Sequence, residues 1–128
     1  MCGIAGFFGN LPNSDYLLSE SNLRLAHRGP DSTGVFFSDC GRVGLLHTRL
    51  AIQDLTPSGN QPMKSQDGSV TIVFNGEIYN FRELRDELEA VGCQFSGSSD
   101  TEVLLQLYLR HSGSSDLGPF LRRLNGIF

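Results

Sequence analysis

Cys2 stands directly behind the initiator methionine, at the start of MCGIAGFF, and its thiol is the first group that could do chemistry. Chain termini are usually frayed and exposed, a poor place for a cysteine used as a small buried side chain. Removal of Met1 would leave a free α-amino group, whose pKa of about 7.7–8.0 suits a base near neutral pH. One residue would then supply both nucleophile and base. The alternative is that Cys2 is an incidental second residue.

Asn75 and Gly76 follow the apolar run VTIVF. A side-chain amide next to a backbone N–H that no β-carbon obstructs could form an oxyanion hole for a tetrahedral intermediate. Asn-Gly is equally a strong hairpin-turn signal. A helical pattern rather than a partner strand follows soon after, so both interpretations stay open.

Arg49 and Asp100 are complementary binding candidates. A planar guanidinium can grip a carboxylate with two hydrogen bonds, and an aspartate can hold an ammonium group. Together they would recognise an α-amino acid. Read singly, Arg49 is more simply a surface charge and Asp100 a helix cap.

The three histidines, His27, His47 and His111, match no metal-binding spacing and are predicted to be structural. Cys40 is predicted to lie in a turn, and Cys93 to be a buried small hydrophobe. No metal site is predicted from these residues.

Composition narrows the class of protein further. The 128 residues carry a formal net charge of −4 with no basic block at either end, which argues against nucleic-acid and anionic-membrane partners. The N-terminal apolar run is interrupted by glycine, and no stretch approaches the roughly 20 apolar residues of a membrane span. Three cysteines without zinc-type spacing suit a reducing compartment. The sequence therefore predicts a cytoplasmic protein with no nucleic-acid or membrane partner.

The candidate residues lie near the ends of predicted strands and helices, where sites are usually built. Apolar runs predict strands at 4–8, 34–37, 43–47 and 70–74, of which the last has the clearest pattern. The second and third are predicted to form a hairpin through a turn at 39–41. The segment 56–62 is predicted as a long loop, too polar to be core.

The clearest helical pattern covers residues 81–91, with apolar residues on one face. Asn80 with Glu83 is predicted to cap its start, and Gly92 to end it. Further helices are predicted at 15–26, with Asp15 as a cap, at 101–111 with a start dense in capping residues, and at 119–124, before a last strand begins at 127–128. This order predicts an α+β fold with antiparallel sheet.

Six stretches, in order, resemble the class II glutamine amidotransferases, whose catalytic cysteine is N-terminal. They are MCGIAGFF, HRGPDSTG, HTRLAIQDL, NQPM, FNGEIYNFRELRDEL and SSDTEVLLQLY. They cover the chain from residue 2 to about residue 126, and they are most similar to the glutaminase domain of glutamine-hydrolysing asparagine synthetases.

The resemblance implies roles for the candidate residues. Cys2 would form a γ-glutamyl thioester and release ammonia, with the Asn75 side chain and the Gly76 backbone as the oxyanion hole. Arg49 would bind the α-carboxylate of L-glutamine. The groups implied to fix its amino group and the rest of the substrate are Asp100 and Glu77, with backbone groups of Leu50 and Ile52.

The resemblance also implies an Ntn-hydrolase-like four-layer αββα sandwich with antiparallel sheets, here truncated. Residues 1–128 would be an N-terminal glutaminase domain (glutamine amidotransferase type 2), incomplete at its C-terminus and without the synthetase domain that follows in the family. ATP and Mg²⁺ are expected only in that missing domain, and no cofactor for glutamine hydrolysis. Uncovered apolar faces suggest self-association, for instance as a homodimer.

Three hypotheses of function follow. The first is a glutaminase whose ammonia serves asparagine synthesis from aspartate in the full-length protein. The second is a glutaminase domain whose full-length protein amidates another acceptor. The third is a non-catalytic fragment that binds an amino acid or a partner, which retention of Met1 would favour.

Overall fold

The computed structural model describes residues 1–111 and 115–128, and it has the α+β class that the sequence predicts. Its strands are β1 (Gly3–Phe8), β2 (Ser32–Phe37), β3 (Val43–Arg49), β4 (Met63–Lys64), β5 (Thr71–Ile72), β6 (Glu77–Ile78) and β7 (Gly126–Ile127). Its helices are α1 (Ser14–Leu25), α2 (Phe81–Ala90), α3 (Asp100–His111) and α4 (Gly118–Leu121). None of these helices is long and apolar enough to span a bilayer.

A three-stranded antiparallel sheet in the order β1-β3-β2 forms the main sheet. The predicted hairpin between β2 and β3 is confirmed, and Gly41 takes a φ of 67° in its turn. β1 pairs with the other edge of β3 along its whole length, from Gly3 opposite Thr48 to Phe8 opposite Val43. This pairing brings Cys2, which precedes β1, to the end of β3 where Arg49 stands.

The two faces of the main sheet have different neighbours. On one face Thr48 Oγ1 donates a hydrogen bond of 3.1 Å to the carbonyl of Leu25 at the end of α1. On the opposite face, a β-carbon at Gly34 would lie only 2.0 Å from the carbonyl oxygen of Gln61. Glycine at position 34 therefore lets the 60–62 segment pack directly against the sheet.

Helices α2 and α3 build the main hydrophobic core. Their apolar faces meet, and each fully buried leucine or valine contributes about 1.5–3 kcal/mol relative to exposure. The predicted helices at 81–91 and 101–111 are confirmed, and Gly92 ends the first with a φ of 87°. The buried cluster comprises Ile78, Leu84, Leu88, Val103, Leu104, Leu107 and Phe120.

The prediction of a strand at 70–74 is wrong for most of that length. Only Thr71–Ile72 is paired, with Met63–Lys64. The backbone N–H of Phe74 instead donates to the side-chain oxygen of Gln61 at 2.6 Å. Likewise, the 56–62 segment is not wholly outside the core, since Gly59 and Gln61 are buried.

The helix and strand ends also differ from the sequence predictions. Helix α1 begins at Ser14 after Asn13, which has a φ of 57°, so Asp15 lies in the first turn and is not the cap. Helix α4 ends at Leu121, short of the predicted 119–124. The predicted last strand, shifted by one residue to Gly126–Ile127, pairs with Glu77–Ile78 directly after Asn75-Gly76.

Asn80 stands at the predicted cap position of α2, with Glu83 in the first turn, but the capping interaction itself is absent. The Asn80 side chain makes no capping hydrogen bond to helix α2. Instead Nδ2 donates to the carbonyl of Arg123 at 2.9 Å, and Oδ1 accepts from the N–H of Asn125 at 3.0 Å. Asn80 thus fastens the start of α2 to the segment between α4 and β7.

Replacing Asn80 by alanine is therefore expected to lower the free energy of unfolding by about 1–3 kcal/mol, because two hydrogen bonds are lost. Urea denaturation monitored by circular dichroism measures the change. The matched variant is Asn80→Asp, which keeps the acceptor for Asn125 but loses the donor to Arg123. Aspartate caps helices as well as asparagine does. If Asn80→Asp were as stable as the wild type, the bridging role would be contradicted.

Candidate active site

One cavity of about 150 Å³ lies between the end of β3, the segment 74–77 and the start of α3. The structure brings all eight candidate residues of the sequence to its wall. They are Cys2, Arg49, Leu50, Ile52, Asn75, Gly76, Glu77 and Asp100.

Cys2 is half-buried and held from both sides. Its Sγ lies 3.4 Å from the backbone nitrogen of Leu50, which donates to it, and 3.7 Å from the carbonyl oxygen of the same residue. The Arg28 side chain donates to the Cys2 carbonyl at 2.9 Å. Met1 also borders the cavity. The thiol is thus held in place at the cavity wall.

The HRGPD segment builds the support beneath Cys2 and the end of β3. A β-carbon on Gly29 would lie 2.3 Å from the carbonyl oxygen of Thr48, so only glycine allows this close approach. Asp31 donates its N–H to the Arg49 carbonyl at 3.0 Å and accepts the Ala51 N–H at 2.7 Å. No role in the site was predicted for this segment, although it belongs to the HRGPDSTG stretch.

Gly76 is closely surrounded by other residues, and the Asn75 side chain lacks hydrogen-bond partners within the described ranges. A β-carbon on Gly76 would lie 2.5 Å from the Ile127 carbonyl oxygen and 2.7 Å from the Phe74 ring. The Asn75 side-chain oxygen is buried, yet it has no hydrogen-bond partner among residues 1–111 and 115–128. Because a buried polar atom without a partner is costly, this oxygen is suited to accept a hydrogen bond from a group that enters the cavity. The Nδ2 of the same amide donates no hydrogen bond within the described ranges, so its N–H groups are open to a negative oxygen.

Asp100 and Glu77 give the cavity its negative charge. Asp100 is buried, and its Oδ2 accepts the N–H of Ile78 at 2.9 Å. Burial raises the pKa of the Asp100 carboxyl, and the charge of Glu77 adds to the rise. Glu77 accepts a hydrogen bond from the Gln53 amide at 3.0 Å. Neither carboxylate forms a salt bridge within the described part of the chain, so the pair is open to a cation.

The start of α3 is fixed independently of any ligand. The Ser99 hydroxyl accepts the N–H of Glu102 at 3.2 Å, as the predicted capping residues would. The Glu102 carboxylate accepts the N–H groups of Ser96 and Gly97 at 2.7 and 2.8 Å. Asp100, the first residue of the helix, is therefore on a rigid base.

Arg49 is buried beside the cavity, and its guanidinium is partly occupied. Nη1 donates to the Thr56 carbonyl at 2.9 Å and to the Asn60 side chain at 2.8 Å. Nη2 donates to the carbonyls of Gln53 and Asp54. It packs so close to Gly59 that a β-carbon there would lie 2.3 Å away. Among the described residues Nε makes no hydrogen bond. Arg49 therefore brings its positive charge to the cavity wall, and within the described ranges Nε–H is its one donor without an acceptor, since the 53–60 loop engages both terminal nitrogens.

His47 is a cavity residue that the sequence analysis treated as structural. Its side chain is 1% exposed, and neither ring nitrogen has a hydrogen-bond partner within the described ranges. Burial lowers the pKa of His47, the Phe74 backbone opposes this shift, and the positive charge of Arg49 lowers the pKa further. The net effect favours the neutral imidazole. Nothing in the spacing of the histidines separates His47 from the other two.

The chain belongs to the family of glutamine amidotransferase domains, because the model of that family matches residues 1–128. It is 46% identical over 116 residues to asparagine synthetase (glutamine-hydrolyzing) 1 of Bacillus subtilis, covering 87% of this chain and 18% of that protein. It is 42% identical over 132 residues to asparagine synthetase (glutamine-hydrolyzing) 2 of Arabidopsis thaliana, covering 100% and 21%. It is 38% identical over 140 residues to amidase chry2 of Gibberella zeae, covering 100% and 20%.

These relatives are much longer than the chain, which spans about a fifth of their length. Within residues 1–111 and 115–128, no group of three or more His, Cys, Asp or Glu side chains is placed to hold a metal ion.

Proposed function

We propose that this chain hydrolyses L-glutamine to glutamate and ammonia, with Cys2 as the nucleophile. The observation that carries the proposal is the set of groups that line this cavity. The cavity is lined by a thiol, an uncommitted amide beside a glycine N–H, and two carboxylates without a basic partner among the described residues. These are the groups needed to attack an amide carbon, stabilise an oxyanion and hold an ammonium.

The reaction proceeds in two steps once Met1 is removed. The Cys2 sulfur attacks the side-chain amide carbon of glutamine, and the α-amino group of Cys2 takes the thiol proton. The carbon–nitrogen bond breaks, and the nitrogen leaves as ammonia with that proton. Water then attacks the γ-glutamyl thioester, which releases glutamate and restores the thiol. The Asn75 amide and the Gly76 N–H stabilise the negative oxygen in both steps.

Substrate binding uses the charges around the cavity. Asp100 and Glu77 hold the α-ammonium group, where the substrate cation relieves the repulsion between the two carboxylates. Arg49 attracts the α-carboxylate by its charge and its Nε–H. Backbone groups of Leu50 and Ile52 contact the rest of the molecule. No cofactor takes part in this half-reaction.

In the longer protein, we propose that the ammonia serves asparagine synthesis from aspartate in a separate synthetase domain that uses ATP and Mg²⁺. Residues 1–128 would be its N-terminal glutaminase domain, incomplete at the C-terminus. A second candidate is amidation of another acceptor, because not every relative that the chain matches over its whole length is named an asparagine synthetase: one is named amidase chry2. The acceptor is decided outside these 128 residues.

The order of packed elements supports a four-layer αββα sandwich. Helix α1 covers one face of the main sheet, the 60–62 segment before β4 packs on the other, and α2 and α3 pack against Ile72 of β5 and Ile78 of β6. On the face of the main sheet that carries Gly34, Phe8 is 85% exposed, and Ile4 is exposed as well. Further strands would cover this surface in the longer protein, or a second copy would in a homodimer. A cytoplasmic location suits the free thiol of Cys2.

The test is to incubate the purified chain with L-glutamine and to measure glutamate and ammonia separately. Equal amounts of both are expected, with none from L-asparagine, whose amide lies one methylene nearer the α-carbon. Intact-mass measurement establishes that Met1 is absent. A folded chain that begins at Cys2 and releases no ammonia would overturn the proposal.

A further inference from the structure

We propose that Gln61 is a positioning residue that sets the distance between the oxyanion segment at 74–76 and the ammonium-binding Asp100. This inference rests on the proposed glutaminase function. Gln61 belongs to the NQPM stretch, to which the sequence analysis gave no role.

The Gln61 side chain bridges two walls of the cavity. It is 8% exposed, and its Oε1 accepts the N–H of Phe74 at 2.6 Å. Its Nε2 donates to Thr101 Oγ1 at 3.1 Å. Phe74 directly precedes Asn75, and Thr101 directly follows Asp100. A single amide group therefore connects the neighbours of the two residues that would bind opposite ends of the substrate.

The backbone of Gln61 is fixed to the main sheet. Its carbonyl oxygen lies so close to Gly34 that a β-carbon there would be 2.0 Å away. Gly34 pairs with His47 on β3, two residues before Arg49. The bridging amide thus projects from a backbone that is packed on the main sheet. Through this amide, the 74–76 segment and the start of α3 are both positioned relative to the main sheet.

The distance matters because the chain of glutamine has a limited reach from its amide carbon to its α-amino group, and both ends must be bound at once. When a reacting group is displaced by about 1 Å, the rate falls by about 10²-fold. Phe74 pairs with no strand at this point, so the hydrogen bond from Gln61 does the positioning that a sheet ladder would otherwise do. The bond to Thr101 does the same for Asp100.

Four variants test the proposal by steady-state glutaminase kinetics. Gln61→Leu removes both hydrogen bonds and is expected to lower kcat/KM by about 10²-fold. Thr101→Val removes only the bond to α3, so KM is expected to rise by about tenfold, while kcat stays within about twofold. Thr101→Ser keeps the hydroxyl and is expected to restore KM. Val103→Ala, in the buried core two residues along α3, is the control for stability loss alone.

All assays are run at a temperature where thermal unfolding shows each variant to be folded. Wild-type kinetics for Gln61→Leu, or the same kinetic losses in Val103→Ala at equal loss of Tm, would overturn the proposal. If Gln61→Leu does not fold, the Thr101 pair decides, and equal KM values for valine and serine would overturn it. An inactive wild-type chain would instead remove the proposed function, so the two failures are distinguishable.

Discussion

Replacing Cys2 by alanine is expected to reduce ammonia release from glutamine by about 10⁴-fold or more, because no other group in the cavity can form the thioester. The fold should survive, since among the described residues the Cys2 side chain forms hydrogen bonds only with the backbone of Leu50. Ammonia and glutamate are measured with wild type and variant at equal concentration, and circular dichroism verifies that both are folded.

Cys2→Ser distinguishes nucleophilicity from simple occupancy of the site. It keeps a hydrogen-bonding group and an α-amino group at the same position, but its hydroxyl is a far weaker nucleophile than a thiolate. We expect a loss close to that of alanine. The matched control is Cys40→Ser, in the exposed turn between β2 and β3, which should retain full activity. Equal ammonia release from Cys2→Ala and wild type would refute the proposed function.

Much of the candidate site could be predicted because its chemistry is carried by single residues at element ends. Cys2 is marked by its position, Asn75-Gly76 by an amide beside a glycine, and Asp100 by a cluster of capping residues. Taken alone, each pattern also has an explanation without any function: an incidental second residue, a hairpin turn or a helix cap. The structure adds that these residues share one cavity. The helices at 81–90 and 100–111 could be predicted equally well from the sequence, because helical periodicity is a local pattern.

The features that sequence reasoning missed depend on residues far apart in the chain. VTIVF is apolar enough for a strand, but the N–H of Phe74 bonds to a side chain 13 residues earlier. Asn80 has the residue type and position of a cap, yet its amide forms hydrogen bonds with Arg123 and Asn125, which lie 43 and 45 positions later in the chain. Local propensity cannot register such tertiary partners, and here they override it.

Arg49 shows the same limit at the level of mechanism. Its guanidinium predicts a two-armed grip on a carboxylate, which is a property of the residue type. Which of its five donors remain open depends on the 53–60 loop, whose carbonyls bind both terminal nitrogens. The sequence predicts the charge at this place, and only the fold determines the direction from which a carboxylate can approach it.

Asp100→Asn is expected to raise the KM for glutamine by about 30- to 1,000-fold, with a much smaller change in kcat. A charge-assisted hydrogen bond to the substrate ammonium is lost, which costs about 2–4 kcal/mol. The fold should not suffer, because the asparagine oxygen can still accept the N–H of Ile78. The pKa of Asp100 is raised by burial, so its charged form destabilises the folded state above that pKa. The Tm of Asp100→Asn at pH 7 should therefore equal or exceed that of the wild type.

The pH dependence of Tm tests whether the ionised Asp100 carboxylate destabilises the folded state. As pH falls from the raised pKa of folded Asp100 to its ordinary value, the carboxyl becomes neutral in the wild type, and its Tm deficit against Asp100→Asn should vanish. Asp67→Asn is the opposite control, since hydrogen bonds from Ser65 and Ser69 lower the pKa of Asp67 to about 2. It should lose Tm at pH 7, recover relative to wild type only as pH falls toward about 2, and keep the wild-type KM. An unchanged KM in Asp100→Asn would exclude Asp100 from the ammonium site.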